Sequence, residues 1–476
     1  MAILSSILSA FARKPPGPPI VATDTIVPIH SEDDNSRHRG YVMNLFVRFD
    51  DVLNVEKLQQ SLFPLLKRPG WNKLSGRLRL NSKGTIECHT PTVFDAKRPQ
   101  ADWYHEAYAV NLAEHSLASR LPRASSAQGI PQLVENTADF YALMHKPGDP
   151  QVLQDWLQSD RPGLGVHVVT FTDATLITLR FSHLLADKVT LKSLFKAWSL
   201  VLQGREAELP PVYGVETSLL EKLGADQKAP YGLTDKLLIA YMKALRDAAL
   251  LDLEDDKSED GKPPFVSEGD VLLAWWARLL IPNVSTSAKQ TVGIINVLEL
   301  RSFLVAARLF PKGSAYIANA HSLVPAFLPA GELLTSSLGH GVGVMRRALA
   351  TLTTQEQVEA LMALQRATPK DMFVLGDAGM TMVVGTNWTK AKMYDIDFSQ
   401  ALEREGPHSA GQRAGRPSLV YSHSIQPLGW QNFLIKIIAI TGKDADGNYW
   451  LYGNYTKKTW AQIDQAIKKE ASELDN

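Results

Sequence analysis

Residues 166–204, VHVVTFTDATLITLRFSHLLADKVTLKSLFKAWSLVLQG, limit what this chain can fold into more than any other stretch. Alternating character over 165–172 and 175–182, broken at Asp173 and Ala174, predicts two strands joined by a tight turn. From Leu191 the pattern changes: Leu191, Leu194, Phe195, Trp198, Val201 and Leu202 recur with a helical period, and Gly204 stands where such a helix stops. Between the two periods lies a short loop carrying His183 and Asp187. On the second strand Ile177, Leu179, Phe181 and His183 share one face, because successive side chains alternate. An imidazole is therefore delivered at the strand's end, on its apolar side, just before a helix.

The rest of the chain repeats this mixture. A strand is predicted over 41–49, a helix over 55–67 and a hairpin from 74–80 and 85–89, whereas 94–150 reads as short helices and loops. A helix over 233–253 leads into the acidic run LEDDKSEDGKPP at 253–264, which reads as an exposed linker. The second half opens with a helix over 266–280, for which Ser267 or Asp270 is the cap. A strand over 291–300 follows and ends at Arg301. Loop and strand material is expected at 316–325, 371–390 and 394–398, a helix at 355–365, and a Gly-, Pro- and Arg-rich surface loop at 403–417. A hairpin from 433–441 and 448–452 and a helix from about 459 close the chain. These signals divide it into a tail (1–22), a first domain (23–205), a crossover and linker (206–264) and a second domain (265–476). Neither half shows regular strand–helix–strand alternation, so the expected class is α/β with mixed sheets rather than a doubly wound fold.

Composition removes several functions. Lys+Arg and Asp+Glu balance at 50 each, which gives no electrostatic reason to expect capture of nucleic acid or an anionic membrane. Cys88 is the only cysteine, so an intramolecular disulfide and a thiolate metal cluster are both excluded. No run approaches the ~20 apolar residues of a membrane span. The N-terminal MAILSSILSAF has its positive charges after the apolar run, the reverse of a secretory signal, so a cytoplasmic protein is expected. G-x-S-x-G, the P-loop pattern, G-x-G-x-x-G and H-E-x-x-H are absent, and GHGVG at 339–343 has the wrong spacing for a dinucleotide loop.

What remains is H-x-x-x-D, a pattern that a chain with twelve histidines meets about half a time by chance. It occurs at His30–Asp34, His145–Asp149 and His183–Asp187. His30 lies in the charged run HSEDDNSRHR and His145 in the turn HKPGD, and both read as solvated loop residues. His183 alone ends a strong strand. It reads either as a core histidine bonded to backbone, with Asp187 as helix cap, or as a general base, since an imidazole of unperturbed pKa near 6.5 takes a proton at neutral pH.

The unit TLITLRFSHLLADKVTLKSLFKAW resembles the active-site segment of the BAHD acyltransferases, an acyl-CoA-dependent family that includes fungal trichothecene-type O-acyltransferases. Further landmarks follow in family order over about 40–460: NLFVRFDDVLNVEKLQQSL with LSGRLRL, VSEGDVLLAWWARLL, INVLELRSFL, AYIANA and TNWTKAKMYDIDFSQA. The resemblance implies a chloramphenicol-acetyltransferase-like fold of two domains with a channel between them. It also implies acyl-CoA as co-substrate, a medium-sized, largely apolar acceptor alcohol or amine, and a monomer without metal or permanently bound cofactor. His183 becomes the general base. Asp187 points away from substrate to Arg301 as a structural pair, and Asp397 fixes a loop that closes the site.

The sequence departs from the family in two places. The Gly that often follows H-x-x-x-D is Lys188, and the usual Asp-Phe-Gly-Trp-Gly is Asp397–Ala401, without glycines or indole. Gln400 is then a substitute oxyanion donor, with Asn319, Thr386 and Asn387 as further candidates, each more often a structural loop residue. Arg413 and Arg416 are candidates for the CoA phosphates, and Trp275, Trp276 and Trp388 are expected in the core. The altered block leaves open two alternatives: CoA-independent proton transfer such as elimination or cyclisation, and a non-catalytic ligand-binding homologue.

Overall fold

The computed structural model describes residues 17–123, 131–134, 137–225, 266–367, 375–377, 379–409, 411–425 and 435–474. The helix and acidic linker expected over 233–264 lie outside them. Two five-stranded mixed sheets organise the described chain. In the first, the order is Pro417–Ile425, Val42–Phe49, Thr175–Ser182, Gly165–Thr170, Asp102–Ala107, with only the last pair parallel. In the second it is His321–Pro329, Thr291–Glu299, Thr381–Asn387, Ile435–Lys443, Tyr449–Gly453, with antiparallel outer pairs and parallel inner ones. The fold is thus α/β with mixed sheets and flanking helices.

The hairpin at the centre of the first sheet forms for the reason the alternation suggests, yet all eight residues of Thr175–Ser182 are buried. Ile177, Leu179 and Phe181 face the core that receives the helix Lys188–Leu202. The opposite face meets Phe46, Phe140, Leu143 and Tyr421 through Leu176. The helix lays Leu191, Leu194, Phe195 and Trp198 on the helix Val55–Lys67. The Trp198 indole donates there to the Leu58 carbonyl at 3.1 Å and the Ser61 hydroxyl at 2.9 Å. Burying one such aromatic supplies on the order of 4 kcal/mol of transfer free energy.

Two strands form where loops were expected. Asp102–Ala107, inside the stretch read as loops and short helices, is a strand. It is only partly buried and is held by backbone pairing with Gly165–Thr170, so no alternation marks it in the sequence. GHGVG, set aside above as a dinucleotide loop, lies in the helix Leu338–Leu352, whose Ser337 cap accepts from His340 N. Gly341 lets that helix approach its neighbour, since a Cβ there would stand 3.3 Å from Leu333 and 3.9 Å from Ala274. Within the loop read at 403–417, Leu402–Glu405 pairs with Asp51–Leu53. The buried Asp51 carboxylate takes the amides of Gly406 and Gly415 and the His408 imidazole, which pins the loop. The strand that follows it, Pro417–Ile425, lies within the second half of the sequence but completes the first sheet. Of the three tryptophans expected in the core, Trp276 and Trp388 are buried; Trp275 is half-buried and its indole donates to Glu470.

Candidate active site

His183 stands one residue beyond its strand. Its amide donates to the Tyr41 carbonyl at 3.1 Å, continuing the ladder between Val42–Phe49 and Thr175–Ser182. Its carbonyl accepts from Asn319 Nδ2 at 2.9 Å, a bond from the other half of the chain. The ring stacks on the His38 ring, with centroids 4.5 Å apart and planes 7° from parallel, and Tyr41 meets it edge-on. Nδ1 is buried without a partner on another described residue, which leaves Nε2 as the nitrogen able to meet a substrate. Burial lowers the imidazole pKa to about 4, the Arg37 charge adding to the effect, so the ring is neutral at physiological pH.

Asp187 faces the other way. It caps the helix by accepting from Thr190 N at 2.8 Å. Its two oxygens receive Arg301 Nη2 at 2.9 Å and Nη1 at 3.0 Å, and Ala320 N donates to it at 3.0 Å. Burial alone would raise its pKa, but the Arg301 charge and hydrogen bonds hold it below the usual carboxylate range. Arg301 also reaches Glu299, Thr190 Oγ1 and the carbonyls of Tyr316 and Ala318. One short loop therefore presents an imidazole outward and ties itself inward, through a bidentate ion pair, to the second sheet's side of the molecule.

The charged run HSEDDNSRHR, read as solvated, packs into this site instead. Asp33 is 1% exposed and His38 1%. Asp33 accepts from Asn319 N and Nδ2 at 2.8 and 2.6 Å and pairs with the buried Lys73, whose ammonium also donates to the Ile317 carbonyl at 2.9 Å. His38 Nδ1 donates to the Asp33 carbonyl at 3.0 Å. Arg37 Nη2 lies between His38 Nε2 and His321 Nε2, at 3.2 and 2.7 Å. Arg37, His38, His321 and Asp33 are thus site residues that sequence reasoning missed; the surplus of histidine and acid in a ten-residue run was the available signal. Among the described residues no group of three or more metal-binding side chains is arranged to hold an ion. His30 is half-buried, its Nε2 3.2 Å from the Val215 carbonyl. His145, also read as solvated, is buried and stacked on Tyr141 at 3.7 Å.

The remaining candidates scatter. Asn319 is beside His183, but both its N–H groups are engaged, one by Asp33 and one by the His183 carbonyl, so it holds the loop rather than offering a free donor. Thr386 Oγ1 accepts from the Trp388 indole at 2.9 Å, and the Trp388 ring lies 4.8 Å from Lys188 Nζ. Asn387 is exposed and turns its oxygen to Thr389. Asp397 bonds Ser399, and its carbonyl accepts from Ser199 Oγ at 2.6 Å. Ser199 is eleven residues along the helix from Lys188, about 16 Å at 1.5 Å per residue. The structure therefore does not bring the exposed Gln400 to His183, because its block docks at the far end of that helix. Arg416 meets the Asp395 carbonyl and Asp397, and Arg413 is exposed. Cys88 is buried, and burial pushes its thiol up to about 11, which leaves it unreactive.

No protein-family model matches the sequence. Acetyltransferase sphE of Aspergillus fumigatus is 33% identical, over 96% of this chain and 97% of that protein. A Penicillium decumbens protein named transcriptional regulator calD is 35% identical, over 96% and 98%. Among solved structures, F. sporotrichioides TRI101 complexed with coenzyme A and T-2 superposes with a TM-score of 0.60 at 13% identity, over 94% of this chain and 98% of that one. Vinorine synthase superposes at 0.51 with 16% identity, over 96% and 95%. At those identities the two structures establish the fold, and the sequence relatives establish the kinship. The chain belongs to the BAHD-type acyltransferase family, and proteins named acetyltransferases from fungi are among its relatives.

Proposed function

We propose that this protein transfers an acyl group from acyl-CoA to a hydroxyl of a medium-sized, largely apolar metabolite, with His183 as general base. The observation that carries this is the His183 ring, neutral at physiological pH, with Nδ1 sealed and Nε2 open. Around it the Asp187–Arg301 pair and Asn319 fasten its loop to both halves of the chain. Acetyltransferase names among the relatives and coenzyme A in the TRI101 complex support the choice of donor.

In this reading Nε2 takes the proton of the acceptor hydroxyl as its oxygen attacks the thioester carbonyl. The tetrahedral intermediate then breaks its C–S bond, and the departing thiolate takes the proton back from Nε2. Asp187 takes no part in proton transfer, since both its oxygens are occupied and its charge is held by Arg301. Both halves of the site come from one chain, so a monomer suffices, and we place it in the cytoplasm. Free-thiol release and product mass, followed over a panel of acyl-CoAs and alcohols, test the assignment. His183→Ala should lower turnover by roughly 10²–10⁴-fold. Near-normal turnover in the folded variant, or conversion without thiol release, would overturn it.

A further inference from the structure

Close to His183 lies a small cleft whose lining includes Arg37, His38, Asn319 and His321. The Arg37 guanidinium in it is half-buried, and no described residue compensates its charge. Its hydrogen-bond partners among the described residues are two imidazole nitrogens, at 3.2 and 2.7 Å. No carboxylate pairs with it among those residues, unlike Arg301, Arg180 and Arg48, which meet Asp187, Asp149 and Asp50. Arg77 also lacks a carboxylate, but the carbonyls of Ser75, Pro99 and Asp160 cap it, and Arg37 has no such cap.

The imidazoles beside Arg37 bring no negative charge. A guanidinium can only donate, so His38 Nε2 offers Arg37 a lone pair and Nδ1 carries the proton, shared with Asp33 O; the Asn35 amide also lies 3.0 Å from Nδ1. Glu32, the one acid along the cleft, turns to the hydroxyls of Ser31 and Ser218 at 3.3 and 3.2 Å instead of to Arg37. A cation withdrawn from water without an anion is costly, and a guanidinium is the side chain best matched to a carboxylate. We propose that this cleft is a subsite for a carboxylate carried by one of the two substrates, with Arg37 as its counter-ion. The proposal rests on the acyl-transfer reading. Because the His38 ring meets Arg37 through Nε2 at 3.2 Å and stacks on His183 at 4.5 Å, the carboxylate lies close to the reacting atoms. That geometry fits a short dicarboxylic acyl group, or an otherwise largely apolar acceptor with a carboxylate near its hydroxyl.

Calorimetric binding to the His183→Ala protein reads the subsite without turnover. One arm compares glutaryl-CoA with butyryl-CoA, and the other compares short hydroxy acids, as fragments of such an acceptor, with their methyl esters. One arm should show a preference of roughly tenfold or more for the carboxylate. Arg37→Gln should erase that preference and Arg37→Lys should keep part of it. Equal binding within both pairs, read with Arg37 in place, overturns the proposal whether or not the Arg37 variants fold. So does an Arg37→Gln effect equal for charged and neutral ligands, which would put the cation on the reaction itself. The two readings fail separately, because absent thiol release with the unsubstituted protein counts against acyl transfer and leaves the binding comparison intact.

Discussion

Replacing Asp187 by Asn removes one charge and almost no volume, and the structure allows its cost to be worked out. The carboxylate accepts four hydrogen bonds: two from Arg301, one from Thr190 N and one from Ala320 N. Asn keeps an oxygen for the Thr190 cap, but its NH₂ then confronts Arg301 Nη1 and Ala320 N, donor against donor. Breaking a buried pair while leaving one partner charged costs about 3–5 kcal/mol. Arg301 retains Glu299, Thr190 and two carbonyls, which favours the lower end. Asp187→Asn should therefore lose about 3 kcal/mol. Asp187→Ala, which also gives up the cap, should lose about 1 kcal/mol more.

The pH dependence of that loss has a definite sign. The folded pKa of Asp187 is depressed, so its stabilisation is present above the unfolded value near 3.9 and is lost as pH falls through the lower folded value. The gap between the native protein and Asp187→Asn should thus be widest near neutrality and close in acid. Urea titrations followed by tryptophan fluorescence at several pH values measure it. A variant within about 0.5 kcal/mol of the native protein at pH 7, or a gap that persists in acid, would refute the reasoning.

If His183 Nε2 must be unprotonated to act, kcat/KM should rise with pH about a midpoint near 4 and stay flat through neutrality. A midpoint near 6.5 would show that neither burial nor Arg37 perturbs the ring. Lys188 is set against Trp388 and Phe181, donates to Ser422 Oγ at 2.8 Å, and is lowered by burial to about 7. Because a buried ammonium is penalised below that pKa and the penalty vanishes once the unfolded lysine also deprotonates, Lys188→Met should raise Tm more at pH 6 than at pH 10. The opposite order, read by differential scanning calorimetry, would sink that account.

The unit around His183 was legible because each of its parts is written locally. Alternation gives the strands, the period from Leu191 gives the helix, and Asp187 stands three residues before Thr190, whose amide it caps. The resemblance supplied Arg301 as the partner of Asp187, and the ion pair is there. It also suggested Gln400 as an oxyanion donor, and there a shared block of residues was a poor guide to distance. Asp102–Ala107 escaped notice because an edge strand held by backbone bonds needs no apolar alternation.

The run from His30 to Arg39 shows most clearly what a sequence leaves open. Its composition reads as solvated, because acids, arginines and histidines are costly to bury unless something neutralises them. For Asp33 that something is Lys73 and Asn319, and for His38 it is the ring of His183 and the Asp33 carbonyl. The sequence by itself determined the mixed α/β class, the strand that presents His183 and the helix that Asp187 caps, because those depend on periods of two and 3.6 residues. Only the tertiary structure decided that Pro417–Ile425 completes the first sheet, that Asp397–Ala401 docks far from His183, and that Arg37 stands beside it with no anion among the described residues. Such pairings join residues hundreds of positions apart, and no local period records them.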